Sequence, residues 1–163
     1  MHRNRLFALA GVIIGVIGLF MKSLTTDGEA EMETLNGINP EFADGIPTIW
    51  GGLDAWAQVV LVVLIIVVVV LSVRPDMARG LDRNSSMIVA VIGVALLAYA
   101  VVKLLDAGDK ADALAVGFAG MAQAGAPTAA HAVSTGVGFF VLIVGTVLVT
   151  FAGAMGFVGD DEE

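Results

Sequence analysis

Hydrophobic side chains along this chain gather in four stretches, 6–21, 55–73, 87–105 and 137–151, nearly free of ionisable groups except at their ends. A helix rises about 1.5 Å per residue and the hydrocarbon core of a bilayer is about 30 Å thick, so roughly 17–25 apolar residues cross it. The second and third stretches reach that length as they stand. The first reaches it by taking in residues 22–24, with Lys22 snorkelling to the interface. The fourth reaches it with 134–136 and 152–157 added. The pattern predicts an all-α fold, a single transmembrane domain of four bundled helices spanning about 6–24, 55–73, 87–105 and 134–157. The connections are then 25–54, 74–86 and 106–133.

Polar punctuation refines the connections. Asn39-Pro40 and Gly45-Ile46-Pro47 confine any helix in the first loop to a short one near 28–36. Gly51-Gly52 reads as a hinge, and Asp54 as the N-cap of the second span. In the last loop Leu114, Phe118 and Met121 fall at i, i+4 and i+7 and make one apolar face. They predict a separate short amphipathic helix over about 109–124, ended by Ala126-Pro127, that lies on the membrane surface or caps the bundle.

Charge orients the bundle. Arg3 and Arg5 precede the first span, and Arg74, Arg79 and Arg83 fill the 74–86 connection, while Lys22, Lys103 and Lys110 lie at the opposite ends. Basic flanks stay in the cytoplasm, so both termini and loop 74–86 are expected inside and loops 25–54 and 106–133 outside. The outer face then carries ten carboxylates against three lysines. The start His2-Arg3-Asn4-Arg5 suits a signal peptide, but its apolar run exceeds the usual 7–15 residues. That run ends in Leu19-Phe20-Met21-Lys22 with no small-residue exit, so the first span is expected to be retained in a multi-pass protein of the cell (plasma) membrane.

Composition agrees. The 163 residues are 58% hydrophobic, with a mean hydropathy of +0.91, beyond the apolar share of a soluble domain. With no cysteine, disulfides, thiolate nucleophiles and cysteine-ligated metal or haem sites are excluded. A net charge of −8 argues against nucleic acid as a partner.

Candidate chemistry is sparse. Gly11, Gly15 and Gly18 form a small-residue stripe on the first helix, and Gly138, Gly145 and Ala152 recur every seven residues on the fourth, with Gly159 continuing the series. Such stripes let helices approach closely, within one bundle or between partners. The second helix is Val, Leu and Ile from 59 to 73 apart from Ser72, and faces lipid or another apolar protein surface. Trp50 and Trp56 bracket the corner at Gly51-Gly52-Leu53-Asp54, as an interfacial belt or a protein-docking anchor. Lys103 lies one turn from Asp106 and near the start of the second span at Asp54, and pairs with one of these carboxylates. The acidic segment Asp27-Gly28-Glu29-Ala30-Glu31-Met32-Glu33 lacks the order of a calcium loop and reads as a solvated face or a patch for a basic partner. His131 has no second metal ligand at helical spacing. No nucleophile–base pair or paired catalytic carboxylates stand out, so no catalytic, cofactor or metal residues are expected.

These features favour a non-catalytic accessory subunit that works by contact with other integral membrane subunits and lipids. The alternative is a small oligomeric transporter or channel, for which Ser72, Ser86, Thr146 and Thr150 are the only polar wall candidates. The basic start 2–5, the segment Ser23-Leu24-Thr25-Thr26-Asp27-Gly28-Glu29-Ala30, the corner 47–58 and the stretch 98–112 resemble small four-span membrane proteins of actinobacteria. Among these the chain is most similar to the respiratory supercomplex association factors, accessory subunits of the cytochrome bcc–aa3 oxidase supercomplex. The resemblance implies a respiratory-chain subunit of the plasma membrane that holds no haem or copper and bridges catalytic subunits. Under it the first and fourth helices are expected to pack by their glycine faces, and Trp50, Trp56 and the acidic outer loop to touch a partner.

Overall fold

A computed structural model describes residues 2–29, 45–74, 79–125 and 130–158, with residues 157 and 158 as backbone only. The fold is all-helical, with four helices among the described residues: α1 (Arg3–Leu19), α2 (Ala55–Ser72), α3 (Arg83–Gln123) and α4 (Val137–Val158). Strands β1 (Leu24–Thr26) and β2 (Val133–Thr135) pair antiparallel, with Thr25 opposite Ser134. Three helices, α2, α3 and α4, are long and apolar enough to cross a membrane, which marks the chain as a membrane protein.

Helix α1 is shorter than its apolar run suggests. It stops at Leu19 after 17 residues, so the expected continuation through residues 20–24 does not form. The chain there bonds instead to the corner before α2. Trp50 N–H donates to Leu19 O at 2.8 Å, Ile49 N–H to Met21 O at 2.9 Å and Ser23 N–H to Pro47 O at 3.0 Å. Lys22, expected to snorkel from a helix end, bridges to Thr48 and ion-pairs with Glu29. Residues 134–136, assigned to the fourth span from sequence, form β2 and the turn after it.

The expected separate helix at 109–124 is likewise part of a longer element. α3 runs unbroken for 41 residues, about 60 Å at 1.5 Å per residue and twice the thickness of a hydrocarbon core. Gly108 does not interrupt it, because one glycine costs only about 1 kcal/mol and Asp106 pairs with Lys103 (3.8 Å) and Lys110 (4.0 Å) along the same face. The apolar face itself lies inward. Leu114, Phe118 and Met121 are buried with Leu24, Ile46 and Ile49, forming a cap with the ribbon and the 45–53 corner.

Packing is centred on α4, which lies along α1 on one side and α3 on the other. Of its apolar window 44% is buried, against 28% for α2 and 22% for α3. α2 touches α1 and α3 only lightly. Asp54 stands at the N-cap of α2 but its side chain makes no cap bond. Gln58 closes that corner instead, its amide donating to Trp50 O at 3.0 Å and Leu53 O at 3.3 Å. The short helix expected near 28–36, Asn39-Pro40, Ala126-Pro127 and Gly159 lie largely or wholly outside the described residues.

Candidate interface: glycine seams and an apolar cleft

Small residues decide which helices meet. A Cβ at Gly11 would lie 2.6 Å from Gly145 O, and one at Gly18 would lie 2.6 Å from Leu142 N and 2.8 Å from Gly138 O. Reciprocally, a Cβ at Gly138 would sit 2.8 Å from Gly18 O, and one at Gly145 would sit 2.6 Å from Gly11 O. Backbone therefore lies on backbone along α1 and α4, with Ile13 and Ile17 turned outward. Ala152 is wholly buried beside Ala8 and Val149. Gly15 differs from its stripe neighbours. Its absent Cβ faces only Leu142 Cδ1, at 3.8 Å.

A second seam, between α3 and α4, has no counterpart in the seven-residue reading. A Cβ at Gly93 would fall 2.6 Å from Thr150 N, and at Gly153 it would fall 2.6 Å from Ala90 Cα. Gly156 lies against the Ser86 side chain, and Gly136, between β2 and α4, lies against Lys22 O. Gly153 and Gly156 are off the register of Gly138 and Gly145, so a search for one repeat passes over them. The usable signal was the concentration of small residues on the fourth span and their scarcity on the second.

The hydroxyls considered as pathway walls are committed to the backbone. Ser72 donates to Val68 O (2.7 Å), Thr146 to Ile143 O (2.9 Å), Thr150 to Thr146 O (2.8 Å) and Ser86 to Leu81 O (3.2 Å). Such bonds satisfy a hydroxyl without offering it to a passing ion or solute.

Because α2 carries no seam, it stands away from α3. Between them opens a cleft of about 180 Å³ lined by Trp56, Ala57, Val60, Leu61, Leu64, Ala95, Leu96 and Tyr99. It adjoins an inner cavity of about 40 Å³ that reaches Gly15, Thr146 and Lys103. Leu61, Leu96 and Tyr99 line both. Of the residues expected at an interface, Trp56 is 64% exposed at the cleft mouth and Lys103 lies on the wall of the inner cavity. Lys103 pairs with Asp106; Asp54 acts electrostatically on Tyr99. Trp50 lies apart from the cleft, half-buried, with its ring centroid 6.2 Å from that of Phe20.

The opposite end holds a polar knot that its sequence did not signal. Arg5, counted as a basic flank, is 5% exposed and Asn4 is 2% exposed. The Arg5 guanidinium donates to Ser72 O (3.3 Å), Arg74 O (3.4 Å) and Gly80 O (3.3 Å), where the last carbonyls of α2 need donors. Nearby, Asp82 caps α3 by accepting from Ser85 N–H at 3.4 Å. The Ser85 bonds hold the Asp82 carboxyl below the usual carboxylate range.

On the cap, two of the described acidic residues are engaged, one with a lysine and one with a histidine. Glu29 pairs with Lys22, and Asp27 Oδ1 lies 3.2 Å from His131 Nδ1. Glu31 and Glu33 lie outside the described residues. Among the described residues no three His, Cys, Asp or Glu side chains gather as a metal site. No protein-family model, curated protein or solved structure matches the chain.

Proposed function

We propose that the chain is a non-catalytic accessory subunit of a larger membrane complex, acting through its apolar helix faces and the cap. The observation that carries this reading is α2. Val59, Val62, Val63, Ile66 and Val70 are all exposed on it, it packs only lightly within the fold, and nothing polar on it offers chemistry. An apolar helix left at the edge of a fold is suited to contact with another membrane protein. In this reading the chain is multi-pass in the plasma membrane, α1 is a fourth and shorter span, and both termini are cytoplasmic, as the arginine-rich end requires. Its resemblance to the actinobacterial supercomplex association factors makes the bcc–aa3 oxidase the complex in which to seek it.

The test is purification of a tagged chain from native membranes after mild detergent extraction. Co-purification of other integral subunits in fixed stoichiometry is expected, and Trp56→Ala, which removes an exposed anchor at the cleft mouth, weakens it. A stable homo-oligomer with no other subunit refutes the accessory role and returns the transporter alternative.

A further inference from the structure

We propose that the cleft between α2 and α3 binds a phospholipid, one acyl chain lying between the helices and the phosphate held by Tyr99 and Lys103. This rests on the reading that α2 and α3 cross a bilayer. The shape comes first. The cleft, about 180 Å³ between two helices, has the width and lining to take a single hydrocarbon chain lying between them. The walls are apolar, and the inner cavity continues the slot toward Gly15, the one glycine of its stripe whose absent Cβ would meet no backbone. Such a lining offers a water-soluble ligand almost nothing to bond.

The polar rim then selects the head. Tyr99 and Lys103 are one turn apart on one face of α3 and line the same cavity. The Lys103 ammonium is only a donor, and the Tyr99 hydroxyl has a proton to give. Among the described residues nothing hydrogen-bonds the Tyr99 hydroxyl, and the half-buried ring leaves that hydroxyl open at the cleft. Lys103 has one carboxylate, Asp106, at the long distance of 3.8 Å. Two donors above an apolar slot suit an acceptor-rich head on an apolar tail, and a lysine binds phosphate as a point charge; Asp106 beside Lys103 and Asp54 near Tyr99 are the carboxylates that such a head competes with. Trp56 at the same mouth places it at interfacial depth.

The experiment uses the full chain in native-lipid vesicles containing a phospholipid with a photoactivatable group in its acyl chain. Labelling is expected on the cleft walls at Leu61 and Leu96. Lys103→Ala lowers it roughly tenfold, the loss of one charge-assisted hydrogen bond. Ala95→Phe, which fills the exposed wall without touching the core, lowers it as far. Val94→Phe, exposed outside the cleft, leaves it unchanged. Undiminished labelling in both cleft variants, or crosslinks from the cleft to protein instead of lipid, overturns the proposal. Alkaline carbonate extraction separates the two readings. Release of the chain from membranes refutes the spanning helices themselves, whereas retention with unaltered labelling refutes the lipid site alone.

Discussion

The glycine seam makes a sharp prediction, because two glycines facing each other across α1 and α4 should respond oppositely to the same methyl group. In Gly145→Ala the new Cβ meets Gly11 O at 2.6 Å and Gly15 Cα at 2.7 Å. These are backbone atoms of a packed helix and cannot turn aside. Reaching an ordinary contact of 3.4 Å requires α1 and α4 to part by at least about 0.8 Å, and by more to clear Gly15 N, the nearest atom. A gap of about 0.5–1 Å forfeits a quarter to a half of the dispersion attraction between facing atoms, and forced overpacking typically costs about 1–3 kcal/mol. Higher helix propensity returns up to about 1 kcal/mol. In Gly15→Ala the methyl meets only Leu142 Cδ1 at 3.8 Å, so the propensity gain stands nearly alone. Thermal unfolding in a fixed detergent should therefore place Gly145→Ala below the parent and Gly15→Ala at or above it. Equal shifts in the two variants would refute the packing argument.

Three further outcomes are expected. Gly153→Ala, whose methyl would meet Ala90 Cα at 2.6 Å, destabilises by about 1–3 kcal/mol, while Gly108→Ala on α3, with nothing within 4 Å, stabilises by up to about 1 kcal/mol; melting temperatures in the same detergent check both. Arg5→Ala leaves the buried Ser72 carbonyl and the part-buried Arg74 and Gly80 carbonyls short of a donor and lowers unfolding stability by about 2–4 kcal/mol, with Arg5→Lys restoring less than half because an ammonium lacks the guanidinium fork. Asp82→Ala costs about 0.5–1 kcal/mol at neutral pH and Asp82→Asn almost nothing, since Asn keeps the accepting oxygen. The bond to Ser85 lowers the folded-state pKa of Asp82, so its contribution is complete above the ordinary carboxylate range and is lost as pH falls through the lower folded value. Unfolding curves of Asp82→Asn and the parent, measured from neutral to strongly acidic pH, should diverge with pH, the parent losing the more.

The long apolar helices were legible because hydropathy and length are local properties. Residues 55–73 predict α2 almost to the residue. What depends on distant partners was not legible. The ribbon pairs Thr25 with Ser134, more than a hundred positions along the chain, and neither three-residue strand has a turn or an alternation to announce it. The same long-range bonds end α1 at Leu19, where its own composition would carry the helix on. Helix α3 shows the converse. The face of Leu114, Phe118 and Met121 was readable, but ending the third span at 105 and starting a separate helix near 109 divided a helical run that continues through 106–108. Arg5 shows a further reason. Three carbonyls from α2 and the following connection bury it, and its neighbours in sequence give no hint of them.

Hydropathy also misranks the helices by position. α2 has the highest mean hydropathy of the three membrane-length helices, 2.9 against 2.6 for α3 and 2.4 for α4. In water the most apolar element would be the most central. Here it is peripheral, and the centre belongs to α4, the least apolar of the three. The reason is that lipid chains are as apolar as leucine, so burying one valine against another gains little over leaving it in the bilayer. Close approach is what stabilises helix pairs in that solvent, and close approach needs glycine. α4 has glycines toward both neighbours and draws α1 and α3 onto itself. α2, β-branched along most of its length, holds α3 at a distance and leaves the cleft between them. The one composition thus accounts for both the exposed apolar face and the cleft beside it. If that is the cause, placing small residues on α2 where it faces α3, as in the double change Leu61→Gly and Leu64→Gly, should tighten the α2–α3 pair. The check is disulfide crosslinking between cysteines introduced at Val60 and Ala95, which should form faster in the glycine variant than in the parent. An unchanged rate would mean that something other than side-chain bulk holds α2 away.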